Sequence, residues 1–339
     1  MLRPRKTIYE RPSLHFVAVV ILMVLLPVPT IVVLTAGEKD RLKTESQHTV
    51  EIFSDPTNLG PTVNSSAAEY SPSISADRLE LYFVSYRPGG LGGADIWVTT
   101  RRTKEVHWST PKNLGPTVNS SDNDNAPSIS VDGLTLYFSS DRTDGHGGRD
   151  LWITTRKTTG DAWSEPVNLG PMVNSSAHEH GPSISSDDLS LFFSGYSDSK
   201  LTRPGGIGGS DLWVTTRETK ANRWTKAVNL GPKVNYSGRD AAPSISADGL
   251  SLYFNSSRPG GFGDVDLWVT MRKTKDDLWG TPFNLGSTVN SAKRDLNPDI
   301  SADGSTLYFV SMRPGSVGDT DNMDIWQVTL KKHTVKDKN

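Results

Sequence analysis

The chain has 339 residues, and its 36 Lys+Arg nearly balance 38 Asp+Glu, for a formal net charge of -2. That balance removes the electrostatic case for a nucleic-acid partner. The absence of cysteine excludes disulfides, zinc–thiolate sites and a cysteine nucleophile, while 30 Gly and 21 Pro point to many turns and few long helices.

In chain order, Arg3, Arg5, Lys6 and Arg11 precede an uncharged run from Phe16 to Gly37. A run of this length reaches across a bilayer, which takes about 20 residues. It exceeds the roughly 7–15 residues of a cleavable signal core. Pro27 and Pro29 interrupt it, and the small residues Thr35, Ala36 and Gly37 leave cleavage open. The expectation is a basic cytoplasmic stub and a transmembrane or signal-anchor helix over 1–37, with the basic flank inside. A polar linker over 38–48 follows. Everything beyond is then exported: periplasmic or extracellular on a membrane anchor, or secreted if the segment is cleaved.

From there one pattern is written five times. Asn-Leu-Gly starts at Asn58, Asn113, Asn168, Asn229 and Asn284, and Asp-Leu-Trp or Asp-Ile-Trp starts at Asp95, Asp150, Asp211, Asp266 and Asp324. Successive Asn-Leu-Gly markers lie 55, 55, 61 and 55 residues apart. In the second unit, strands are expected over Pro127–Ser130, Leu134–Ser139, Asp150–Thr155 and Trp163–Asn168, with Asp132-Gly133 as a hairpin turn. Four short antiparallel strands per unit make a propeller blade. The fifth unit ends after its third strand, and Phe53–Asn58 matches Trp108–Asn113 position for position. The segment near Val50–Leu59 therefore completes the last blade. The fold class is all-β: a five-bladed propeller of four-stranded blades over 49–331, monomeric, with a polar tail over 332–339.

The stretch from Asp240 to Trp268 resembles the WD40-like repeats of the TolB-type propellers. It carries an acidic residue, Pro-Ser-Ile-Ser-Ala-Asp-Gly, a Leu-Tyr-Phe strand, Arg-Pro-Gly-Gly and Asp-Leu-Trp. The resemblance covers all five units and implies an exported bacterial protein that mediates binding. The extra N-terminal domain of the periplasmic TolB proteins has no counterpart here.

In a propeller the loop entering the first strand and the loop between strands two and three share one face. That face gathers Glu69, Asp124, Glu179, Asp240 and Asp295 with Arg87, Arg142, Arg203, Arg258 and Arg313. Five unpaired carboxylates would repel, and five guanidiniums can fork onto them. The pairs either tie neighbouring loops together or form a charged ring that takes a cation or polar ligand. The Asp of each Ser-x-Asp-Gly (Asp77, Asp132, Asp187, Asp248, Asp303) reads as a turn residue bonding its own backbone, and the Asp before each Trp as structural. The Trp residues and Phe53 are spaced for packing between blades. Asn64, Asn119, Asn174, Asn235 and Asn255, in Asn-x-Ser triplets, read as turn residues.

Departures from the repeat locate a candidate site over the second and third units. The third unit has six extra residues, including Tyr196, and carries His178-Glu179-His180, while His146 sits in the neighbouring Gly-rich loop. No zincin spacing, phosphate-binding loop or Gly-x-Ser-x-Gly elbow occurs. No cofactor is expected, with calcium kept open by the alternation of Asp319, Asp321 and Asp324. The function expected is binding of an envelope protein or glycan without catalysis. The alternatives are a glycosidase, with Glu69 and Glu179 as its carboxylate pair, and a lectin-like propeller using Tyr196.

Overall fold

A computed structural model describes residues 20–25, 29–34, 48–196, 203–318 and 322–335, with side chains over 53–196, 203–318 and 322–330. The chain divides into two compact units: Phe53–Lys331, and a smaller one of Met1–Ile52 with Lys332–Asn339. In the smaller unit β1 (Val20–Leu25) pairs antiparallel with β2 (Pro29–Leu34). Of the helix expected over 16–37, residues 16–19, 26–28 and 35–37 lie outside the described residues. The described parts of that run are these two strands. Among the described residues, no helix is long and apolar enough to cross a membrane.

The larger unit is the expected five-bladed propeller. β3 (His48–Phe53) and β4 (Thr57–Asn58) precede the first complete blade. Blade 1 is β5 (Glu69–Ile74), β6 (Glu80–Ser85), β7 (Asp95–Thr100) and β8 (Lys112–Asn113). Blade 2 is β9 (Asp124–Ile129), β10 (Thr135–Ser140), β11 (Asp150–Thr155) and β12 (Val167–Asn168). Blade 3 is β13 (His178–Ile184), β14 (Ser190–Tyr196), β15 (Ser210–Thr216) and β16 (Val228–Asn229). Blade 4 is β17 (Asp240–Ile245), β18 (Ser251–Ser256), β19 (Asp266–Met271) and β20 (Phe283–Asn284). Blade 5 is β21 (Asp295–Ile300), β22 (Thr306–Ser311) and β23 (Asp324–Val335), completed by β4 through Trp326↔Asn58 and Gln327↔Thr57. The strand supplied from the start of the repeat region thus closes the ring.

Two strand boundaries differ from expectation. The fourth strand shrinks to the two residues Val167–Asn168, and it is equally short in the other complete blades, with proline ahead of it (Pro111, Pro166, Pro282) or without (Ala227). The first strand begins earlier, at the acidic residue, and absorbs a bulge: the β9–β10 register shifts between Tyr137 and Ser139. All five blades share this irregularity. The bulge puts Ser71, Ala126, Ala242 and Asn297 at positive φ, with Gly181 in the equivalent place. A bulge re-aims side chains, and these five residues turn toward the central axis.

Between blades the packing is apolar. Tyr137 and Leu151 of blade 2 meet Leu191, Phe193 and Trp213 of blade 3. Each such side chain contributes about 1.5–3 kcal/mol on full burial. Arg101, Arg156, Arg217 and Arg272 lie over Trp108, Trp163, Trp224 and Trp279 at 4.2, 4.4, 4.3 and 4.4 Å. Phe53 takes the corresponding place beside the core of blade 5.

Candidate functional site

The repeated charges form a framework. In blade 1, Arg87 reaches Glu69 at 3.0 Å and the Val63 carbonyl at 2.5 Å, and its guanidinium lies 5.3 Å from the Trp97 ring. Arg142 meets Asp124 at 2.6 Å, Arg258 meets Asp240 at 2.5 Å, Arg313 meets Asp295 at 2.7 Å, and Arg203 meets Glu179. All five carboxylates are fully buried. Each also accepts a backbone N–H four residues upstream, as Asp124 does from Ser120. Arg, acid and interblade loop are thus locked together, the tying role offered as one of two readings from sequence.

A second girdle repeats beneath it. Asp95 accepts the N–H groups of Leu91 and Gly92 and the Asn113 amide at 3.0 Å. Asn113 in turn accepts from Gly115 and Asn119. Asn119 pairs with both backbone groups of Ile96, at 2.9 and 3.0 Å. Asn64, Asn119, Asn174 and Asn235 are therefore buried clamps rather than turn residues, and Asn255 lies within β18. The Ser-x-Asp-Gly aspartates do hold turns: Asp132 accepts from the Ser130 hydroxyl and the Leu134 N–H.

On the same face, a cavity of about 600 Å³ opens at the mouth of the axis. Its wall includes Tyr70, Tyr86, Arg149, His178, His180, Tyr196, Arg239, Asn255 and Arg294. Almost all occupy positions where the five units differ. The residue before the acid is Ala68, Asn123, His178, Arg239 or Arg294, and the residue before the Asp of Asp-x-Trp is Ala94, Arg149, Ser210, Val265 or Met323. Backbone bridges between blades set two of them: Arg149 against His178, and Ser210 against Arg239.

The cavity's electrostatics are one-sided, since no Asp or Glu is among its described lining residues. Arg149 touches Asp141 only at 3.5 Å. Arg239 donates to the Tyr196 hydroxyl and lies 4.9 Å from that ring, and its buried Nε has no hydrogen-bond partner. Burial and the neighbouring Arg294 pull Arg239 below its ordinary value. Arg294 has no carboxylate partner among the described residues. Burial, with the Arg149 and Arg239 charges, pushes His180 down to about 3, so its imidazole is neutral at physiological pH. His180 stands edge-on to Tyr196 at 6.3 Å, and His178 pairs with Tyr196 in the β13–β14 register. The Asn255 Nδ2 is buried without a partner.

The sequence-predicted residues thus separate. His178, His180 and Tyr196 join in the cavity wall. The five acid–Arg pairs lie below it in the framework. His146 sits in the Gly-rich loop, its N–H donating to Asp150. The rest of the blade-3 insertion, 197–202, falls outside the described residues, as do Asp319 and Asp321 of the calcium alternation. Asp324 is buried and accepts from Asn58 and Val317. Among the described residues, no group of three or more His, Asp or Glu is arranged to hold a metal. Arg149, Arg239, Arg294, Tyr70 and Tyr86 were missed, although lining up the five units would have found them as outliers.

Below the mouth the axis narrows to a cavity of about 20 Å³ between the five prolines that follow the bulge, room for about one water. A ring of interblade bonds surrounds it: Ser73, Ser128, Ser183 and Ser244 each accept the N–H of the next blade's Ile. At the seam Asp299 replaces Ser and accepts from the Ile74 N–H at 2.8 Å. Burial pushes its carboxyl up to about 7, against the pull of the Ile74 and Ser244 hydrogen bonds.

No family model matches the chain, and no curated protein matches it. Solved structures similar to it include the putative TolB of Agrobacterium tumefaciens, at 18% identity and a TM-score of 0.47, covering 86% of this chain and 91% of that one. The α-L-arabinofuranosidase of Podospora anserina in complex with cellotriose aligns at 12% identity and a TM-score of 0.54, covering 82% of this chain and 96% of that one. The α-L-arabinofuranosidase of Lactobacillus brevis aligns at 13% identity and a TM-score of 0.51, covering 80% and 92%. At these identities the likeness is one of fold. The chain is a five-bladed propeller of four-stranded blades, a fold it shares with these arabinofuranosidases.

Proposed function

We propose that the chain is an exported, membrane-anchored binding propeller of the cell envelope that holds a glycan or protein ligand in its mouth cavity without transforming it. One observation carries this reading. The 600 Å³ cavity is walled by the positions that break the five-fold repeat, and its volume falls within the roughly 300–1,000 Å³ of ligand sites. A repeated residue serves the repeat, whereas an unrepeated residue at a shared mouth is free to serve a ligand.

A second reading, glycoside hydrolysis, takes support from the arabinofuranosidases that share the fold. Hydrolysis needs two carboxyl groups flanking the sugar bond. Glu69 and Glu179 are poorly placed for that work, being fully buried and bonded to Arg87 and Arg203. Burial does raise Glu179 above its usual range, but with no open path to a ligand.

The test is a glycan array and an envelope-fraction pull-down with the full chain, beside the variant Tyr86→Ala, whose side chain is 51% exposed at the mouth. Ligands lost in the variant support the site. Ligands retained in full would move it elsewhere, and release of free sugar from a bound glycan would replace binding with hydrolysis.

A further inference from the structure

We infer that the mouth cavity takes an acidic sugar, its anionic group held between Arg239 and Arg294 and its ring against the tyrosines; this rests on the reading that the mouth is the binding site.

The charges come first. Three guanidiniums, of Arg149, Arg239 and Arg294, share a wall that has no carboxylate among its described residues. Elsewhere on this face every repeated Arg is matched with its own buried acid. With the 3.5 Å contact of Arg149 to Asp141 as their one carboxylate partner among the described residues, these guanidiniums repel one another in a partly enclosed space, and an anion entering relieves that repulsion. Arg supplies a planar fork that fits carboxylate, sulfate and phosphate oxygens bidentately.

The unpartnered polar atoms agree. The unmatched buried atoms at this wall are donors: Arg149 Nε, Arg239 Nε and Asn255 Nδ2. Buried donors without partners are costly, so the complementary ligand is rich in acceptors. His180 adds no fourth charge, since burial, with the Arg149 and Arg239 charges, holds it neutral.

The aromatic groups specify a ring. Tyr70 and Tyr86 stand 5.6 Å apart at 45° on one side of the cavity, with Tyr196 on the wall as well. Phenol rings offer flat apolar area beside a polar tip, which suits the face of a pyranose better than a bare inorganic anion. The combination of acceptor-rich, anionic and ring-shaped describes a uronate or a sulfated sugar.

The experiment is isothermal titration of the full chain with uronate oligosaccharides (galacturonate, glucuronate and mannuronate trimers), their methyl esters, and a sulfated disaccharide. The expected result is binding of an acid form at least tenfold tighter than its ester. Arg294→Ala should weaken that binding tenfold or more, and Arg294→Lys, which keeps the charge but not the fork, should weaken it less. A sulfated probe that binds while the uronates fail assigns the anion to sulfate and leaves the inference standing. Acid and ester binding equally, with sensitivity to Tyr86→Ala, would overturn the anionic part and leave the mouth as the site. Binding that ignores Tyr86→Ala, Arg239→Ala and Arg294→Ala would overturn both. No binding by any charged probe would overturn the acidic sugar.

Discussion

Two sets of arginines share one face of this propeller. Arg87, Arg142, Arg203, Arg258 and Arg313 recur at one place in every blade, each bonded to a buried acid and to a valine carbonyl. Arg149, Arg239 and Arg294 occur at places that differ from blade to blade, and they face a cavity with little or no counter-charge. The same side chain is mortar in one setting and an unsatisfied donor in the other. What separates them is repetition: an ion pair written five times is a condition for building a blade, whereas an arginine present at only one or two of five equivalent positions answers to something outside the repeat.

The comparison breaks first, and most severely, in the framework. Burial pushes Asp240 up even beside Arg258, so the intact pair has only modest net worth. Removing one partner strands the other, at a cost of about 3–5 kcal/mol. Asp240→Asn keeps the shape and removes the charge, and the melting temperature is expected to fall by about 10 °C. An unchanged melting curve would mean that the framework pairs are not structural.

The seam offers the next largest effect. Asn58 donates to Asp324 at 2.7 Å, accepts from Gly60 and Asn64, and joins the start of the propeller to its last blade. Asn58→Ala removes three hydrogen bonds, each worth about 0.5–1.5 kcal/mol, so a loss of about 2 kcal/mol is expected in chemical denaturation. Amide exchange should rise in β22 and β23 before the other blades. Uniform loosening of all five blades would show that the ring does not open at its seam.

Both of these framework elements were legible in the sequence, because a physical requirement repeated five times leaves five copies of its evidence. Blade number, the closing strand and the pairing of acid with Arg all follow from spacing. The mouth was legible only in part. His178, His180 and Tyr196 stood out because they flank an insertion, but Arg239 and Arg294 are single residues beside an acid that drew the attention. The strands that follow them do not help: each carries a bulge, as between Ala241 and Ser244, so an alternation of period two does not foretell which side chains gather at the axis. Asp299 was hidden for a different reason. Pro-Asp-Ile-Ser reads as a variant of Pro-Ser-Ile-Ser until the interblade ring shows that its carboxylate does the work of a serine hydroxyl.

That substitution yields an effect of opposite sign. Asp299 has a folded value near 7 against an ordinary value of 3.8, so between these pH values the folded state holds more protons than the unfolded one. Stability attributable to Asp299 therefore falls as pH rises from about 4 to 7 and is flat above. Asp299→Ser restores the residue of the other four blades and still accepts from Ile74. At pH 8 it is expected to stabilise by about 1–2 kcal/mol, a discounted share of the roughly 1.4 kcal/mol that each tenfold change in proton affinity carries. At pH 4 the gain should vanish. A gain independent of pH would trace to packing rather than to the carboxylate.

The smallest effect on stability is also the sharpest form of the comparison. Arg294→Ala deletes a guanidinium that no described carboxylate holds, so the change in unfolding free energy is expected to stay within about 0.5 kcal/mol, as for surface substitutions away from networks. Relief of the repulsion with Arg239 even favours a slight gain. Arg258→Ala, by contrast, leaves Asp240 buried alone and should cost several times more, again on the scale of about 3–5 kcal/mol. Denaturation curves for the two variants, measured side by side, decide whether the arginines of this face form two classes. If Arg294→Ala destabilised the protein as much as Arg258→Ala, the mouth would be a continuation of the framework, and its excess of positive charge would need a structural explanation instead of a ligand.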